Sequence, residues 1–230
     1  MEALQNFYQK YHNIQYVYPK IPDGVDKFSW IVGPGRIPYL KINLAGPWQE
    51  ILKEAEMLDH LFVPHRDDGE SQGWSSLCLH GLGATKTDSP SAYPEYRGIP
   101  DDQLPYAWTE ISDLCPVATK YFKTQFPYSK YFRLRFMKID AGGYIAPHHD
   151  SQTFRLGAVN ISLNNPAGCE MILKDAGPVP FDSAGSVMAF NTSYDHMVWN
   201  NSTEARYHMI VHGQYLPQWR SIVVNSYDTV

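Results

Sequence analysis

The feature that most limits how this chain can fold lies in its second half. From Tyr131 onward the sequence breaks into short runs of β-branched, aromatic and aliphatic residues separated by turn residues: YFRLRFMKID, GYIAPHHD, LGAVNISL, GCEMILKD, GSVMAFN, HMVWNN and ARYHMIVHGQYL. With the shorter PVPFD they make about eight strand candidates in roughly 85 residues, and no helical period interrupts them. This is the pattern of an antiparallel sandwich or barrel. Eight strands in two packed sheets form a jelly roll, whose interior can hold a ligand.

The first 130 residues read differently. GPWQEILKEAEMLDHLF places Trp48, Ile51, Leu52, Ala55 and Leu58 at helical spacing behind Pro47, which suits a first turn. LPYAWTEISDLCPVATKYFKTQF repeats the period through Trp108, Ile111, Leu114, Ala118 and Phe122, and Pro116 predicts a kink or a division there. Between them, residues 64–105 are rich in Gly, Ser, Pro, Asp and Tyr and read as a long irregular stretch, of the kind that often carries function. No repeat or low-complexity linker divides the 230 residues, so one domain is expected: 1–130 as a helical and loop support region, 131–216 as the β core.

Charge and cysteine usage narrow the partners. A formal net charge of -5, without any Lys/Arg block, offers no electrostatic handle for nucleic acid or an anionic membrane. Small-molecule or peptide substrates are expected instead, and the sequence points to no oligomeric state. MEALQNFYQKYHN lacks the apolar core of a signal peptide, and no run approaches bilayer-spanning length, so a cytoplasmic location is expected. The three cysteines, Cys78, Cys115 and Cys169, are too few and too scattered for a disulfide framework or a thiolate zinc site.

The chemistry concentrates in DAGGYIAPHHDSQ, residues 140–152. Strand side chains alternate faces, so His148 and Asp150 point one way and His149 the other. A His-x-Asp pair offers a metal one neutral imidazole and one anionic oxygen, and His196 in SYDHMVWNN is the natural third ligand. A buried carboxylate needs a cation or a proton, and two histidines with one carboxylate on one face form the triad associated with non-haem Fe(II) oxygenases. Zinc or manganese fits the same ligand types. Ten residues on, Arg206 shares parity with His208, Ile210 and His212, opposite Ala205, Tyr207, Met209 and Val211. Both faces are partly apolar, so periodicity leaves the inward one open. If Arg206 faces inward, its planar fork suits a ligand carboxylate.

Taken in order, His148-x-Asp150, His196-x-Val198-x-Asn200 and Arg206-x-His208 resemble the Fe(II)/2-oxoglutarate-dependent oxygenases, particularly the aspartyl/asparaginyl β-hydroxylase and proline cis-hydroxylase branch. The resemblance covers roughly Phe132 to Gln214. It implies a mainly β fold with flanking helices, a double-stranded β-helix of the jelly-roll, cupin-like type. It implies Fe(II), with 2-oxoglutarate and dioxygen as co-substrates, and decarboxylation to succinate and carbon dioxide coupled to hydroxylation of a substrate C–H bond. His148, Asp150 and His196 are then the metal ligands and catalytic residues. Arg206 binds the distal carboxylate of 2-oxoglutarate, with His208 as a second contact. The expected substrate is an amino acid or a peptidyl side chain.

The chain departs from that pattern in LGAVNISLN, where related sequences carry an Arg and a His before a Leu and this one has Ala158 and Asn160. Asn160 is either a hydrogen-bond donor to the co-substrate or plain strand polarity. Arg155, Arg135 and Trp74 are candidate substrate contacts, each with a bland alternative: an exposed loop Arg, a solvated or ion-paired strand Arg, and a loop packed over the sheet. Two rival functions stand beside the oxygenase. One is a cupin-like metalloenzyme without 2-oxoglutarate, which expects Arg206 to point away from the metal; the other is a non-catalytic metal-binding domain, which expects a filled barrel.

Overall fold

The computed structural model describes residues 1–66, 69–150, 155–181 and 184–230. Helices α1 (Glu2–Tyr11), α2 (Lys27–Ile31), α3 (Trp48–Met57), α4 (Ile111–Leu114), α5 (Pro116–Thr124) and α6 (Gln218–Tyr227) surround the sheet. The strands are β1 (Tyr39–Ile42), β2 (Val63–Pro64), β3 (Ser71–Gly81), β4 (Ala107–Trp108), β5 (Tyr128–His148), β6 (Val159–Ser162), β7 (Cys169–Leu173), β8 (Gly177–Pro178), β9 (Val187–Phe190), β10 (His196–Asn200) and β11 (Arg206–Tyr215). None of the helices among the described residues is long and apolar enough to cross a membrane.

The strands follow the spatial order β1-β9-β6-β11-β5-β10-β7-β8, with neighbours antiparallel. The 21-residue β5 joins two sheets. Its first part pairs with β11 from Tyr128 to Ile139, and its last part pairs with β10 at Tyr144, Ile145 and His148. Between them the strand bends at Gly142, whose φ of +74° favours glycine, and at Gly143, where a Cβ would meet the Gln72 carbonyl at 2.7 Å and the Asp140 carbonyl at 2.9 Å. The buried Asn200 amide clamps this bend by donating to the carbonyls of Ile139 (3.1 Å) and Asp140 (3.0 Å), and to that of Glu204 (2.8 Å). This is the double-stranded β-helix expected from the sequence. YFRLRFMKID and GYIAPHHD, which read as two strands, are one strand that changes partners.

Helix packing decides which strand faces are buried against which layer. Tyr207, Met209 and Val211 of β11, with Leu134 and Phe136 of β5 and Val159 and Ile161 of β6, share a core with Trp48, Ile51 and Ala55 of α3 and Ala118 and Phe122 of α5. Their alternates therefore face the other way, into the barrel. As expected, the helix after Pro47 forms, and Pro116 separates α4 from α5. The buried Glu54 carboxylate of α3 accepts from the amides of Val117 (2.7 Å) and Ala118 (2.9 Å), capping α5 where Pro116 has no N–H to offer.

The expected irregular stretch at 64–105 needs correction. It contains β3, paired with β5 from Ser71↔Ile145 to His80↔Leu134. Its last six residues are all buried, so no in-and-out polarity alternation marks it, and Gly73 at φ +67° interrupts the register. Pro64 ends β2, and the other described residues of the stretch form loops and 3-10 turns. The sheet also reaches across the expected boundary at residue 130, because β1 pairs with β9 and β3 with β5. PVPFD supplies strand only at Pro178, in β8, and its Asp182 lies outside the described residues.

Candidate active site

Register brings the predicted ligands together. His196 of β10 lies directly opposite His148 of β5, 48 positions earlier in the chain, and their rings stand 4.4 Å apart between centroids. Asp150 follows two residues after His148, and its backbone amide donates to the Thr192 carbonyl at 2.9 Å, which turns the carboxylate toward the pair. Asp150 Oδ1 lies 3.6 Å from His148 Nε2, and Oδ2 lies 3.8 Å from His196 Nε2. One ligand atom from each residue falls within 4.8 Å of the others.

Both imidazoles are oriented by the same local device. His148 Nδ1 meets the Ala146 carbonyl at 2.8 Å, and His196 Nδ1 meets the Tyr194 carbonyl at 2.9 Å. A carbonyl only accepts, so each Nδ1 carries the proton and each Nε2 presents a lone pair toward Asp150. Burial, reinforced by the neighbouring His148, lowers the pKa of His196 and keeps it neutral, the form that binds metal. Two imidazole nitrogens and a partly exposed carboxylate, aimed at one point, fit a divalent cation. His149 points away, is exposed, and meets Asp195 at 3.2 Å.

The triad opens into a cavity of about 230 Å³ between the two sheets. Arg206, His208, Ile210 and His212 of β11 line it, which settles the parity that the sequence left open. Arg206 is 2% exposed, and its Nε has no hydrogen-bond partner; its guanidinium lies over the Phe181 ring at 4.8 Å. No carboxylate among the described residues lies within ion-pair distance of it. His208 is 5% exposed with Nδ1 unpartnered, and burial together with the nearby Arg206 drives its pKa well below the usual imidazole value. A buried cation without a counterion beside an unpaired neutral ring is costly unless a ligand anion completes the set. Asn160 also lines the cavity, buried on β6 opposite Ile210.

Of the three candidate substrate contacts, Trp74 and Arg135 line the cavity and Arg155 does not; Arg155 is exposed. Trp74 sits on β3 rather than on a loop. Sequence reasoning missed His65, Arg66 and Asp88, which approach from segments with no motif. His65 is buried against Trp74, with Nδ1 at 2.9 Å from Ser76 Oγ and 3.1 Å from Thr87 Oγ1. Burial and the guanidiniums of Arg135, Arg66 and Arg133 hold its pKa down to about 2. Arg66 lies 3.6 Å from both Asp88 and Asp150, and its guanidinium stacks over Trp74. The only advance signal for these residues was the dense polar and aromatic content of the 64–105 segment.

Arg206 lines the same cavity as the candidate metal ligands, and the barrel encloses open space, whereas the two rival functions expect an Arg206 turned away from the metal and a filled barrel.

The family model described as Aspartyl/Asparaginyl beta-hydroxylase matches residues 46–214. No curated protein matches the chain in sequence. Among solved structures, the chain is similar to a Pseudomonas putida prolyl-4-hydroxylase (13% identity, TM-score 0.46, 82% of this chain and 100% of that one). It is also similar to a prolyl hydroxylase in complex with a hypoxia-inducible-factor peptide fragment, from Trichoplax adhaerens (13%, 0.44, 84% and 90%). A third is a 2OG-Fe(II) oxygenase family oxidoreductase from Burkholderia pseudomallei (13%, 0.43, 85% and 96%). These likenesses are distant, whereas the family match spans the candidate metal triad, β2 to β11 but for the end of β11, and helices α3 to α5. The chain belongs to the aspartyl/asparaginyl β-hydroxylase family.

Proposed function

We propose that the chain hydroxylates the side chain of an amino acid or peptide, with iron(II) held by His148, Asp150 and His196 and 2-oxoglutarate anchored by Arg206 and His208. The enzyme class is that of an iron(II)- and 2-oxoglutarate-dependent dioxygenase. One observation carries the assignment of residues: the three metal-type ligands converge beside a buried guanidinium that has no carboxylate of its own.

Bound iron(II) and 2-oxoglutarate supply the activation of dioxygen and the oxidising power for the C–H bond. The chain's own residues do the rest. His148, Asp150 and His196 would hold the metal while leaving room beside it for the co-substrates. Arg206 offers a charge-assisted grip to the far carboxylate, and the unpartnered Nδ1 of His208 adds a polar contact beside it. Asn160 offers its amide from the neighbouring strand. Ile145, Met171, Phe190 and Val198 form apolar walls that keep water from the reacting centre.

Anaerobic titration with Fe(II) and 2-oxoglutarate tests this reading, with the weak visible charge-transfer band of the chelate as the signal. Wild-type protein gives the band. Arg206→Ala weakens 2-oxoglutarate binding by about 30-fold or more, since loss of one partner of a buried charge pair costs roughly 2–5 kcal/mol. It leaves iron binding unchanged. A folded, iron-loaded protein without the band would end the assignment.

A further inference from the structure

The cavity has a second cationic end, away from Arg206. On β5, Arg135 stands opposite Ile210 and Arg133 opposite His212, four and six residues along β11 from Arg206. At a strand rise of about 3.4 Å per residue, the Arg135 position lies roughly 14 Å from that of Arg206. In the proposed function one 2-oxoglutarate carboxylate would be held at the metal and the other at Arg206, so neither would reach this end.

Among the described residues, the far end is short of negative charge. Arg133 and Arg135 line it, and Arg66 joins them from the side of the triad, 3.6 Å from Asp150; among the described residues that line the cavity, Asp88 is the one carboxylate besides Asp150. Asp88 faces Arg66 at 3.6 Å. Arg135 is 5% exposed; it donates to the Thr87 carbonyl, its Nε has no partner, and no described carboxylate lies within ion-pair distance of it or of Arg133. His65 and His212, the imidazoles beside them, supply no anion. Buried guanidiniums in excess are unfavourable until an anion joins them, and a planar fork favours a carboxylate. The cavity of about 230 Å³ falls below the roughly 300–1,000 Å³ of sites for drug-sized ligands, so its occupant is small.

We infer that the substrate is a small free carboxylic acid of amino-acid size, whose carboxylate is gripped by Arg135 and Arg133 so that one of its C–H bonds faces the His148–Asp150–His196 triad. The inference rests on the proposed function and deepens it, choosing a free acid over a side chain within a larger polypeptide. Arg135 and Arg133 are substrate-binding residues here.

The test uses the full chain loaded anaerobically with Fe(II) and 2-oxoglutarate, titrated with each of the common free amino acids and with its carboxamide. Binding is followed by calorimetry and by perturbation of the visible band. At least one free acid binds, and its carboxamide binds about tenfold more weakly or worse. Arg135→Gln brings the acid down to the affinity of the amide while the band from 2-oxoglutarate alone persists. A merely structural Arg135, holding the Thr87 segment, would not abolish acid-over-amide discrimination. Arg133→Gln, at a less buried position, lowers acid affinity in the same sense and decides the matter if Arg135→Gln does not fold. Equal binding of acid and amide, unchanged acid affinity in the variants, or no binding by any free acid overturns the inference while leaving the band, and with it the hydroxylase reading, intact. Loss of the band in wild-type protein overturns both.

Discussion

His65 and His208 are buried imidazoles held neutral beside guanidiniums, and their protonation sets a pH limit on the fold. Their folded-state pKa values lie below the unfolded value of about 6.5, so the unfolded chain takes up protons first as pH falls. The stability they contribute is fully present above about pH 6.5 and is lost as pH drops toward the folded values. Each proton taken up only by the unfolded chain costs on the order of 1 kcal/mol per pH unit. Denaturant midpoints of the metal-free protein should therefore fall between pH 7 and pH 5, and more gently in His65→Gln. An unchanged pH slope in that variant would refute the account. At this scale the sequence was informative wherever chemistry and spacing coincide: His148, Asp150, His196, Arg206 and His208 were legible as an ordered set. His65, Arg66 and Asp88 were not, because a lone polar residue in an irregular segment looks the same whether it faces solvent or a cavity.

Elements were legible where periodicity and punctuation agree. Pro47 marked a helix start and Pro116 a division within a helical pattern, and the apolar spacing around them marked the faces that pack on the sheet. What supports α5 was invisible in the sequence, since Glu54 reaches its first turn from another helix. Glu54→Ala should leave the Val117 and Ala118 amides buried without acceptors and destabilise the protein by about 1–3 kcal/mol, read from the urea midpoint. A loss within experimental error would show that water replaces the cap. β3 escaped detection for a related reason: a strand buried at its end on both faces carries no alternation of polarity, and Ser and Gly residues weaken its propensity signal. The bend of β5 was signalled by Gly142 and Gly143, which read as a turn between two strands, whereas the pairing partners show one strand passing between two sheets.

On the scale of the whole molecule, the two sheets carry complementary parts of the site: Arg206, His208 and Asn160 from one, His148 and His196 from the other. Ligands that bridge them stabilise only the folded state. With iron and 2-oxoglutarate each in large excess, the apparent unfolding free energy should rise by about 3 kcal/mol or more at a hundredfold over Kd, raising Tm by several degrees. Chelation should reverse the shift, and scanning calorimetry with and without EDTA measures it. The sequence by itself determined the strand-rich core, the order of the candidate metal ligands, and the family resemblance, because side-chain chemistry and its spacing are local properties of the chain. Only the tertiary structure decided that β11 turns Arg206 inward, that β3 and β1 extend the sheet, and that a second group of guanidiniums gathers at the far end of the cavity. The physical reason is that the inward face is set by what packs outside: Tyr207, Met209 and Val211 belong to the core shared with α3 and α5, which leaves Arg206 and His208 to the interior.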